Sequence, residues 1–340
     1  MSYIITLTTQ DGQQFNFGCE PEQTVQEAAE AAGFFLPASC NAGSCGACLG
    51  HCTQGEYRLS SYNPTLLSKN YQELGEILLC RTYPEGDLHI SSSYTAAQMT
   101  NPQAEREAEI VSVEMLAERT MRLVLQLLPD SQSGLRFNFE PGQFVELKVP
   151  DLQLKRAYSI ASSPNSSGRL EFLIRLQPKG QFSGYLQQIA KPGERLVLQG
   201  AFGSFGVQNP RLKPSCFVAG GAGVAPFLSI LRTMAEQGED YPTVLFFGVN
   251  TEQEIFYQQE LADLQKHIPQ LKVFFCVWQP SENWQGFRGT AVDALKMFLS
   301  KTQSVPDIFL CGPALLVDAA TQVALDAGVN SQHIIFERFS

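Results

Sequence analysis

The first 95 residues alternate between short strand-like and helical patterns. Two runs of alternating hydrophobic and polar residues flank Asp11-Gly12, and an Asp-Gly pair between such runs predicts a β-hairpin. A helical pattern follows at TVQEAAEAAGFF (24–35), and EILLCRTYPEGDLHI (76–90) is strand-like. These elements predict a small α+β domain over residues 1–95.

The middle of the chain has the pattern of an antiparallel barrel. The polar segment SSSYTAAQMTNPQAEREAE (91–109) is only weakly periodic, and we expect a linker over residues 96–105. Residues 106–208 then hold apolar runs of strand length at short intervals, which predicts an antiparallel β-barrel. The runs are REAEIVSVEML, RTMRLVLQLL, GQFVELKVP, RAYSIASS, LEFLIRL and RLVLQGAFG.

The last part of the chain, residues 209–340, alternates strands with helices. SCFVAGGAGVAPFLSILRTMAEQG (215–238) predicts a strand, a Gly-rich turn and a helix. The apolar runs TVLFFGVN, KVFFCVW and DIFLCGP follow, with helical stretches between them. This alternation predicts a doubly wound parallel sheet. The expected fold class is therefore multidomain, with an α+β domain, a β-barrel and an α/β domain.

The composition is that of a globular protein without a membrane segment. The 340 residues are 44% hydrophobic and 17% charged, which allows several hydrophobic cores. No run reaches the roughly 18 consecutive apolar residues of a membrane helix, and the N-terminus lacks the pattern of a signal peptide. We therefore expect a cytoplasmic protein that binds no membrane. The net charge of −10 also argues against nucleic-acid binding.

The negative charge is concentrated near the N-terminus. Residues 1–97 contain ten acidic and three basic side chains, which gives them a net charge of −7. Two interpretations stay open: a solvated surface, or an acidic docking face that steers a protein partner with a basic patch.

A group of cysteines is the strongest chemical signal in the sequence. In CNAGSCGACLGHC, Cys40, Cys45 and Cys48 have a C-x4-C-x2-C spacing, and Cys80 follows in LLCRTYP. This is the spacing of plant-type [2Fe–2S] ligands. Structural zinc is a weaker alternative because it prefers paired cysteine knuckles, and a disulfide is disfavoured in the cytoplasm. We expect Cys52 to be a buried thiol outside the metal site.

Two stretches of the predicted barrel have the chemistry of a flavin site. RAYSIASS places Arg156 and Tyr158 on one face of a strand, with Ser159 next to them. A guanidinium can hold a phosphate bidentately, and a tyrosine ring can lie on a flat heterocycle. In IRLQPKGQFSGYL (174–186), Gly180 opens a turn before a predicted helix, whose free N–H groups can bind a pyrophosphate.

The Gly-rich turn VAGGAGVAPF lies between a predicted strand and helix. Gly220, Gly221 and Gly223 allow the close backbone approach that a dinucleotide needs. The turn is not a G-x-G-x-x-G fingerprint, and simple packing of the sheet against the helix also explains such glycines. A later strand ends in CGP (311–313), at the edge where α/β proteins bind ligands, and Cys311 there could face a nicotinamide.

The segment GVNTEQEIFY bears on the choice of nicotinamide cofactor. It contains Glu252 and Glu254 but no arginine or lysine. A 2′-phosphate needs a cation, whereas a free ribose hydroxyl tolerates acidic neighbours. The segment therefore favours NADH over NADPH.

Together, these motifs resemble the ferredoxin–NAD(P)H reductase superfamily along the whole chain. They are most similar to oxygenase reductase components that carry an N-terminal plant-type ferredoxin domain of the β-grasp fold. The segments FGVNTEQEIFY, CVWQPSENWQG and IIFERFS resemble most closely the reductases of soluble methane monooxygenases. Reductases of phenol hydroxylase and benzoate dioxygenase are also similar.

The resemblance implies three cofactors, FAD, NADH and a [2Fe–2S] cluster, and a set of residues for each. Cys40, Cys45, Cys48 and Cys80 would hold the cluster. Contacts to FAD are implied for Arg156, Tyr158, Ser159, Arg175, Gly180, Phe182 and Ser183, and contacts to NADH for Gly220, Gly221, Gly223, Cys311, Gly312 and Pro313. Phe339 is expected close to the flavin with Glu337 nearby, so Ser159, Cys311 and Phe339 are the residues expected at the reacting centre.

Two positions depart from the family pattern. Ala222 stands where threonine is usual, and Gly200-Ala201 replaces the usual Gly-Pro. The threonine hydroxyl would contribute about 1 kcal/mol if it made a typical hydrogen bond. We therefore expect weaker or altered contacts to NADH rather than their loss.

The implied function is electron transfer from NADH through FAD and the cluster to an oxygenase. The four histidines are scattered and form no Glu-x-x-His pair, so oxygen activation is expected on another subunit. The expected partner is a soluble diiron monooxygenase of the methane or alkane type, docking at the acidic N-terminal domain of a monomeric reductase. The alternatives are the reductase of a Rieske dioxygenase and a non-catalytic iron–sulfur carrier.

Overall fold

A computed structural model provides the structure of the chain. It describes residues 2–36, 43, 48–62, 64, 67, 69–100, 105–131, 133–152, 154–203, 205–206, 213–302 and 305–339, with only the backbone of Asn70 and Gln98. Across these residues, every helix is too short or too polar to cross a bilayer.

The first domain is a five-stranded sheet with one main helix packed on it. Its elements are β1 (Tyr3–Thr8), β2 (Gln14–Cys19), α1 (Val25–Ala31), β3 (Leu49–Gln54), β4 (Tyr57–Leu59), α2 (Lys69–Glu73), β5 (Glu76–Leu78), β6 (Thr82–Pro84), β7 (Leu88–Ser92) and α3 (Ala96–Thr100). The strand order is β2-β1-β7-β3-β5, and β4 pairs separately with β6. The hairpin predicted at Asp11-Gly12 is present, with β1 and β2 antiparallel.

The helix of this domain begins where its sequence predicts. Thr24 accepts a hydrogen bond from the backbone N–H of Glu27, and the Glu27 side chain accepts one from the Thr24 N–H. Each side chain thus satisfies a donor at the free helix end. The first half of the expected linker over residues 96–105 is not an irregular segment. Ala96–Thr100 is helical, and Met99 is buried in the first core.

The second domain is the predicted antiparallel barrel. Its elements are β8 (Arg106–Ala117), β9 (Thr120–Leu127), β10 (Phe144–Val149), β11 (Leu154–Ser159), β12 (Arg169–Arg175), α4 (Gln181–Gln188) and β13 (Arg195–Phe202). The strand order is β11-β10-β13-β8-β9-β12. A bridge between Ile160 and Phe172 brings the two ends of the sheet together. The barrel is filled by side chains such as Leu125, Leu147 and Phe172.

The third domain is the predicted parallel α/β sheet. Its elements are β14 (Ser215–Gly220), α5 (Ala225–Gln237), β15 (Thr243–Val249), α6 (Gln258–His267), β16 (Leu271–Val277), β17 (Phe287–Arg288), α7 (Ala291–Leu299), β18 (Asp307–Pro313), α8 (Ala314–Asp326) and β19 (Ile334–Phe339). The strand order is β17-β16-β15-β14-β18-β19. The chain changes direction between β14 and β18, and ligands of such sheets bind at this switch point.

The barrel and the α/β domain share a core and a buried ionic network. Glu171 of β12 lies 3.1 Å from Arg122 and 3.2 Å from Arg232 of α5, and it accepts a hydrogen bond from the Tyr257 hydroxyl at 2.7 Å. Burial alone would raise the pKa of Glu171, but Arg232 and the other partners hold it below its ordinary value. The two domains are therefore joined by buried contacts along β12 and α5.

Candidate functional site

A cleft of about 530 Å³ lies where the three domains meet. The first domain contributes Leu49, Ser93 and Tyr94 to its walls. The barrel contributes the end of β11, the end of β12 and the start of α4, and the third domain contributes the ends of β14 and β19. A cleft of this size is large enough for a cofactor.

Arg156 and Tyr158 both line the cleft, as the alternation of β11 predicts. The Tyr158 ring packs against Phe182, with centroids 5.0 Å apart, and burial raises the pKa of its hydroxyl. Arg156 donates to the Lys155 carbonyl at 2.7 Å and has no carboxylate partner among the described residues. A guanidinium without a counter-charge in an open cleft fits a phosphate.

The first turn of α4 forms another wall of the cleft. Gly180 precedes the helix and offers no side chain to its free N–H groups, which leaves them available to an anion. The Ser183 hydroxyl accepts a hydrogen bond from the Gln177 N–H at 2.9 Å and so fixes the turn. Phe182 is buried beneath Tyr158 and supports the position of that ring.

Arg175 lies between the helix start and the Gly-rich turn. It ends β12, lines the cleft and forms no ion pair in the described part of the chain. A Cβ atom on Gly221 would lie 3.7 Å from its guanidinium. Arg156 and Arg175 therefore face the same cleft without a carboxylate partner among the described residues, which fits the two phosphates of a dinucleotide such as FAD.

The glycines of the third domain lie at the switch point, where β14 and β18 approach closely. A Cβ atom on Gly223 would come within 2.3 Å of the Cys311 carbonyl oxygen, so only glycine fits there. Gly312 has a φ of +153°, and a Cβ atom on it would lie 3.1 Å from the Gly220 nitrogen. Packing between the two strand ends thus explains these glycines. Of this group, Gly220 and Pro313 line the cleft.

Ser159, Glu337 and Cys311 form a hydrogen-bonded group at the cleft wall. Ser159 Oγ donates to Glu337 Oε2 at 3.0 Å, and Cys311 Sγ lies 3.9 Å from the same oxygen. Burial raises the pKa of Glu337 to about 7, and the two hydrogen bonds offset only part of this effect. Burial and the nearby Glu337 carboxylate raise the pKa of the Cys311 thiol. Cys311 lies behind Glu337, whereas Phe339 lines the cleft itself.

Two of the four expected cluster ligands lie together in the first domain. Cys48 Sγ and Cys80 Sγ are buried and 3.2 Å apart, much farther than the roughly 2.05 Å of a disulfide. The other two, Cys40 and Cys45, lie outside the described residues. Gly43 between them has a φ of +66°, and a Cβ atom there would come within 2.6 Å of Tyr62. Two neighbouring sulfurs, together with the positive φ of Gly43, fit a thiolate-bound cluster.

The remaining cysteines of the described chain are buried and suited to packing. Burial raises the pKa of Cys19 to about 11 and of Cys276 to about 12, and it also raises the pKa of Cys52 and Cys216. These raised pKa values favour the protonated thiol, as expected of buried cysteines that pack in a hydrophobic core.

Glu252 and Glu254, the acidic residues from which the sequence predicts a preference for NADH, both have structural partners. Glu254 accepts hydrogen bonds from the Asn250 side chain at 2.9 Å and lies 3.9 Å from Arg119 of the barrel. Glu252 accepts one from the Ser281 N–H at 2.8 Å. The segment GVNTEQEIFY gives no indication of Arg119, because this residue comes from the barrel domain. The preference for NADH therefore stays a prediction.

Sequence patterns alone did not reveal the contribution of the first domain to the cleft. Among the first-domain residues that line the cleft, Leu49 could have been expected near a cofactor, because it directly follows the expected cluster ligand Cys48. Ser93 and Tyr94 follow β7, in the segment that composition marks as polar linker. The cleft thus borders the strand of an expected cluster ligand, the arginine-rich flavin wall and the nicotinamide edge.

This arrangement of domains and sites defines an iron–sulfur flavoprotein oxidoreductase. Residues 8–85 match the 2Fe-2S iron-sulfur cluster binding domain family, residues 107–206 the oxidoreductase FAD-binding domain family, and residues 217–322 the oxidoreductase NAD-binding domain family. The cofactors of the chain are accordingly a [2Fe–2S] cluster, FAD and NAD(H).

Individual relatives cover nearly the whole chain. Methane monooxygenase component C of Methylosinus trichosporium is 36% identical over 86% of both chains. The anthranilate 1,2-dioxygenase electron transfer component of Acinetobacter baylyi is 31% identical over 100% of this chain and 98% of its own. A crystal structure of an Amycolatopsis cytochrome P450 reductase has a TM-score of 0.71, 27% identity and 98% coverage of both chains. The chain belongs to the family of iron–sulfur flavoprotein reductases that are electron-transfer components of oxygenases.

Proposed function

We propose that the chain takes electrons from NADH and delivers them singly to a soluble diiron monooxygenase of the methane or alkane type. The observation that carries this proposal is the cleft itself. There the strand that follows Cys48 meets Arg156 and Tyr158 of the flavin wall and the strand end at Gly220. The 36% identity to a methane monooxygenase component supports the choice of partner.

The bound cofactors supply the electron chemistry, and the chain positions them. Bound FAD would supply the conversion of the electron pair of NADH into single electrons, and a bound [2Fe–2S] cluster would supply one-electron transfer. Arg156 and Arg175 would hold the phosphates of the dinucleotides, and Tyr158 would lie on the flavin ring. Cys40, Cys45, Cys48 and Cys80 would hold the cluster.

The hydrogen-bonded pair of Ser159 and Glu337 would handle a proton at the cleft wall. With a pKa of about 7, the Glu337 carboxyl group exchanges its proton close to neutral pH. The Ser159 hydroxyl donates to Oε2 and holds the carboxyl group in place. Phe339 lines the cleft near this pair and would limit the access of water.

The acidic N-terminal domain is the proposed docking site for the oxygenase. Its net charge of −7 over residues 1–97 would attract a partner with a basic patch. We further propose that the chain acts as a monomer, because one chain provides every wall of the cleft, and in the cytoplasm, where NADH is available.

The reductase of a Rieske dioxygenase is the second candidate function. The 31% identity to an anthranilate 1,2-dioxygenase electron transfer component over the whole chain supports it. A non-catalytic iron–sulfur carrier is disfavoured, since such a protein would have no use for two cleft arginines that lack a carboxylate partner in the described part of the chain.

Reconstitution with purified oxygenases would test the proposal. The holoprotein is mixed with NADH and either a diiron hydroxylase or a Rieske oxygenase, and product formed per NADH consumed is measured. Coupled turnover with the diiron enzyme is expected. Coupling with the Rieske enzyme alone would establish the second candidate, and unreduced flavin after NADH addition would reject both.

A further inference from the structure

A buried arginine joins the first domain to the strand that borders the cleft. Arg338 of β19 has a fully buried side chain, and its guanidinium lies 3.1 Å from Glu76 of β5 and 3.2 Å from Asp318 of α8. It also stacks on the ring of Tyr71 in α2, 4.0 Å from the ring centroid. Glu76 and Tyr71 belong to the first domain and Asp318 to the third, so Arg338 bridges the two.

On the side of the third domain, Arg338 lies between two residues of the cleft. Its neighbours Glu337 and Phe339 both line the cleft, and β19 is held in the sheet by parallel pairing with β18. A change in the position of the Arg338 side chain would therefore also change the position of Glu337 and Phe339, because all three residues lie on β19.

On the side of the first domain, Glu76 is tied to the strand of an expected cluster ligand. Glu76 pairs with His51 in the antiparallel ladder of β3 and β5. Strand β3 begins at Leu49, which lines the cleft and directly follows Cys48. The position of Glu76 thus fixes the position of the strand next to the expected cluster.

The surroundings make this contact a strong one. Burial raises the pKa of both Glu76 and Asp318, while Arg338 acts in the opposite direction on each. Separation of the domains would leave Arg338 paired with Asp318 but would take Glu76 away from it, and the loss of one partner from a buried ionic group strongly disfavours the separated state. Movement of the first domain away from the cleft would therefore require hydration of Arg338.

We propose that Arg338 and Glu76 are positioning residues for electron transfer between flavin and cluster. Their ion pair holds the strand that follows Cys48 against the cleft and thereby sets the rate at which single electrons reach the cluster. This inference rests on the proposed function and assigns a role to Arg338, which belongs to the cleft lining, and to Glu76, which does not.

Two matched variants separate this role from simple stabilisation of β19. Glu76→Gln removes the carboxylate of the first domain and leaves the pair between Arg338 and Asp318. Asp318→Asn removes the carboxylate within the third domain and leaves the pair between domains. Each variant takes one carboxylate from the same guanidinium, but only Glu76→Gln breaks the ion pair across the domains.

Rapid mixing of the anaerobic holoprotein with NADH gives the first readout. Flavin reduction is followed by absorbance and cluster reduction by freeze-quench electron paramagnetic resonance. In Glu76→Gln, cluster reduction is expected to slow by about tenfold or more, with flavin reduction nearly unchanged. Asp318→Asn should stay close to the wild-type rate, and Glu76→Asp should recover part of the loss.

Hydrogen–deuterium exchange of the holoprotein gives a readout independent of turnover. The backbone of α2 and α8 should exchange faster in Glu76→Gln than in Asp318→Asn or the wild type, because the interface opens.

Unchanged cluster reduction in Glu76→Gln, or equal slowing in both variants, would overturn the proposal. If wild-type flavin is not reduced by NADH, the proposed function fails, whereas unchanged exchange in Glu76→Gln still rejects the interdomain contact on its own.

Discussion

Ser159 and Glu337 are separated by 178 positions in the chain, yet the Ser159 hydroxyl donates to Glu337 Oε2 at 3.0 Å. The contact joins the last residue of β11 in the barrel to β19 in the α/β domain. It therefore closes one wall of the cleft across a domain boundary. Because the carboxyl group is buried, this contact has a consequence for the pH dependence of stability.

Glu337 should make the protein less stable as pH rises towards neutrality. The folded chain keeps the Glu337 proton up to a pKa of about 7, whereas the unfolded chain loses it near the ordinary value of 4.5. Between these values the folded state binds more protons, so stability falls as pH increases. The loss is absent below about 4.5 and complete above about 7.

The variants Glu337→Gln and Ser159→Ala test this assignment. Urea midpoints at about pH 5 and about pH 7 would show a smaller decrease in Glu337→Gln than in the wild type. In Ser159→Ala, the loss of the hydrogen bond that lowers the pKa should extend the decrease to higher pH. Identical pH profiles for the wild type and Glu337→Gln would show that this carboxyl group titrates normally.

Arg156 should contribute directly to FAD affinity. A hydrogen bond to a charged group is worth about 1.5–3 kcal/mol, so Arg156→Ala should weaken FAD binding by about tenfold to a hundredfold. Flavin content after purification and titration of the stripped protein with FAD measure the effect. Arg169→Ala, at an exposed position at the start of β12, is the matched control. Full flavin content in Arg156→Ala would refute the role of Arg156.

Sequence patterns predicted the parts of the site that depend on one element. Alternation along β11 is enough to place Arg156 and Tyr158 on one face. Parallel strands end at the same edge, so Gly220 and Pro313 could be expected close together. The cysteine spacing is likewise a local pattern, and the structure describes two of its four residues, Cys48 and Cys80, whose sulfurs lie 3.2 Å apart.

The remaining features arise from packing between domains, which no local pattern encodes. The bridge between Arg338 and Glu76 joins two surfaces that are distant in sequence. Arg119 reaches Glu254 from the barrel, which changes the meaning of an acidic segment. The burial of Met99 in the first core could not be predicted from local sequence either. Its segment is polar in composition, yet it forms a helix that packs on this core.

Gly223 should be indispensable to the third domain for steric reasons. In Gly223→Ala, the new Cβ would lie 2.3 Å from the Cys311 carbonyl oxygen, and neither backbone can move without disturbing the sheet. We expect a loss of about 1–3 kcal/mol in the free energy of unfolding, together with weaker NADH binding. Gly184→Ala is the control, because a Cβ there meets nothing within 4 Å. Equal urea midpoints for the two variants would contradict the close approach of β14 and β18.

Cys80 and Cys52 provide a matched pair for testing the cluster site, because both are buried in the first core. Cys80 Sγ lies 3.2 Å from Cys48 Sγ, whereas Cys52 Sγ contacts the Gln54 carbonyl. Cys80→Ala should lose iron and acid-labile sulfide but keep FAD, because the flavin wall lies in another domain. Cys52→Ala should keep all three.

The activities of the cysteine variants should divide in the same way. Loss of the cluster in Cys80→Ala or Cys45→Ser is expected to abolish reduction of cytochrome c, which depends on the single-electron carrier. Reduction of ferricyanide by NADH, which the flavin supports alone, should be largely retained in both variants. If Cys80→Ala kept its iron, or if both activities survived in Cys45→Ser, the four cysteines would not be the ligands of the cluster.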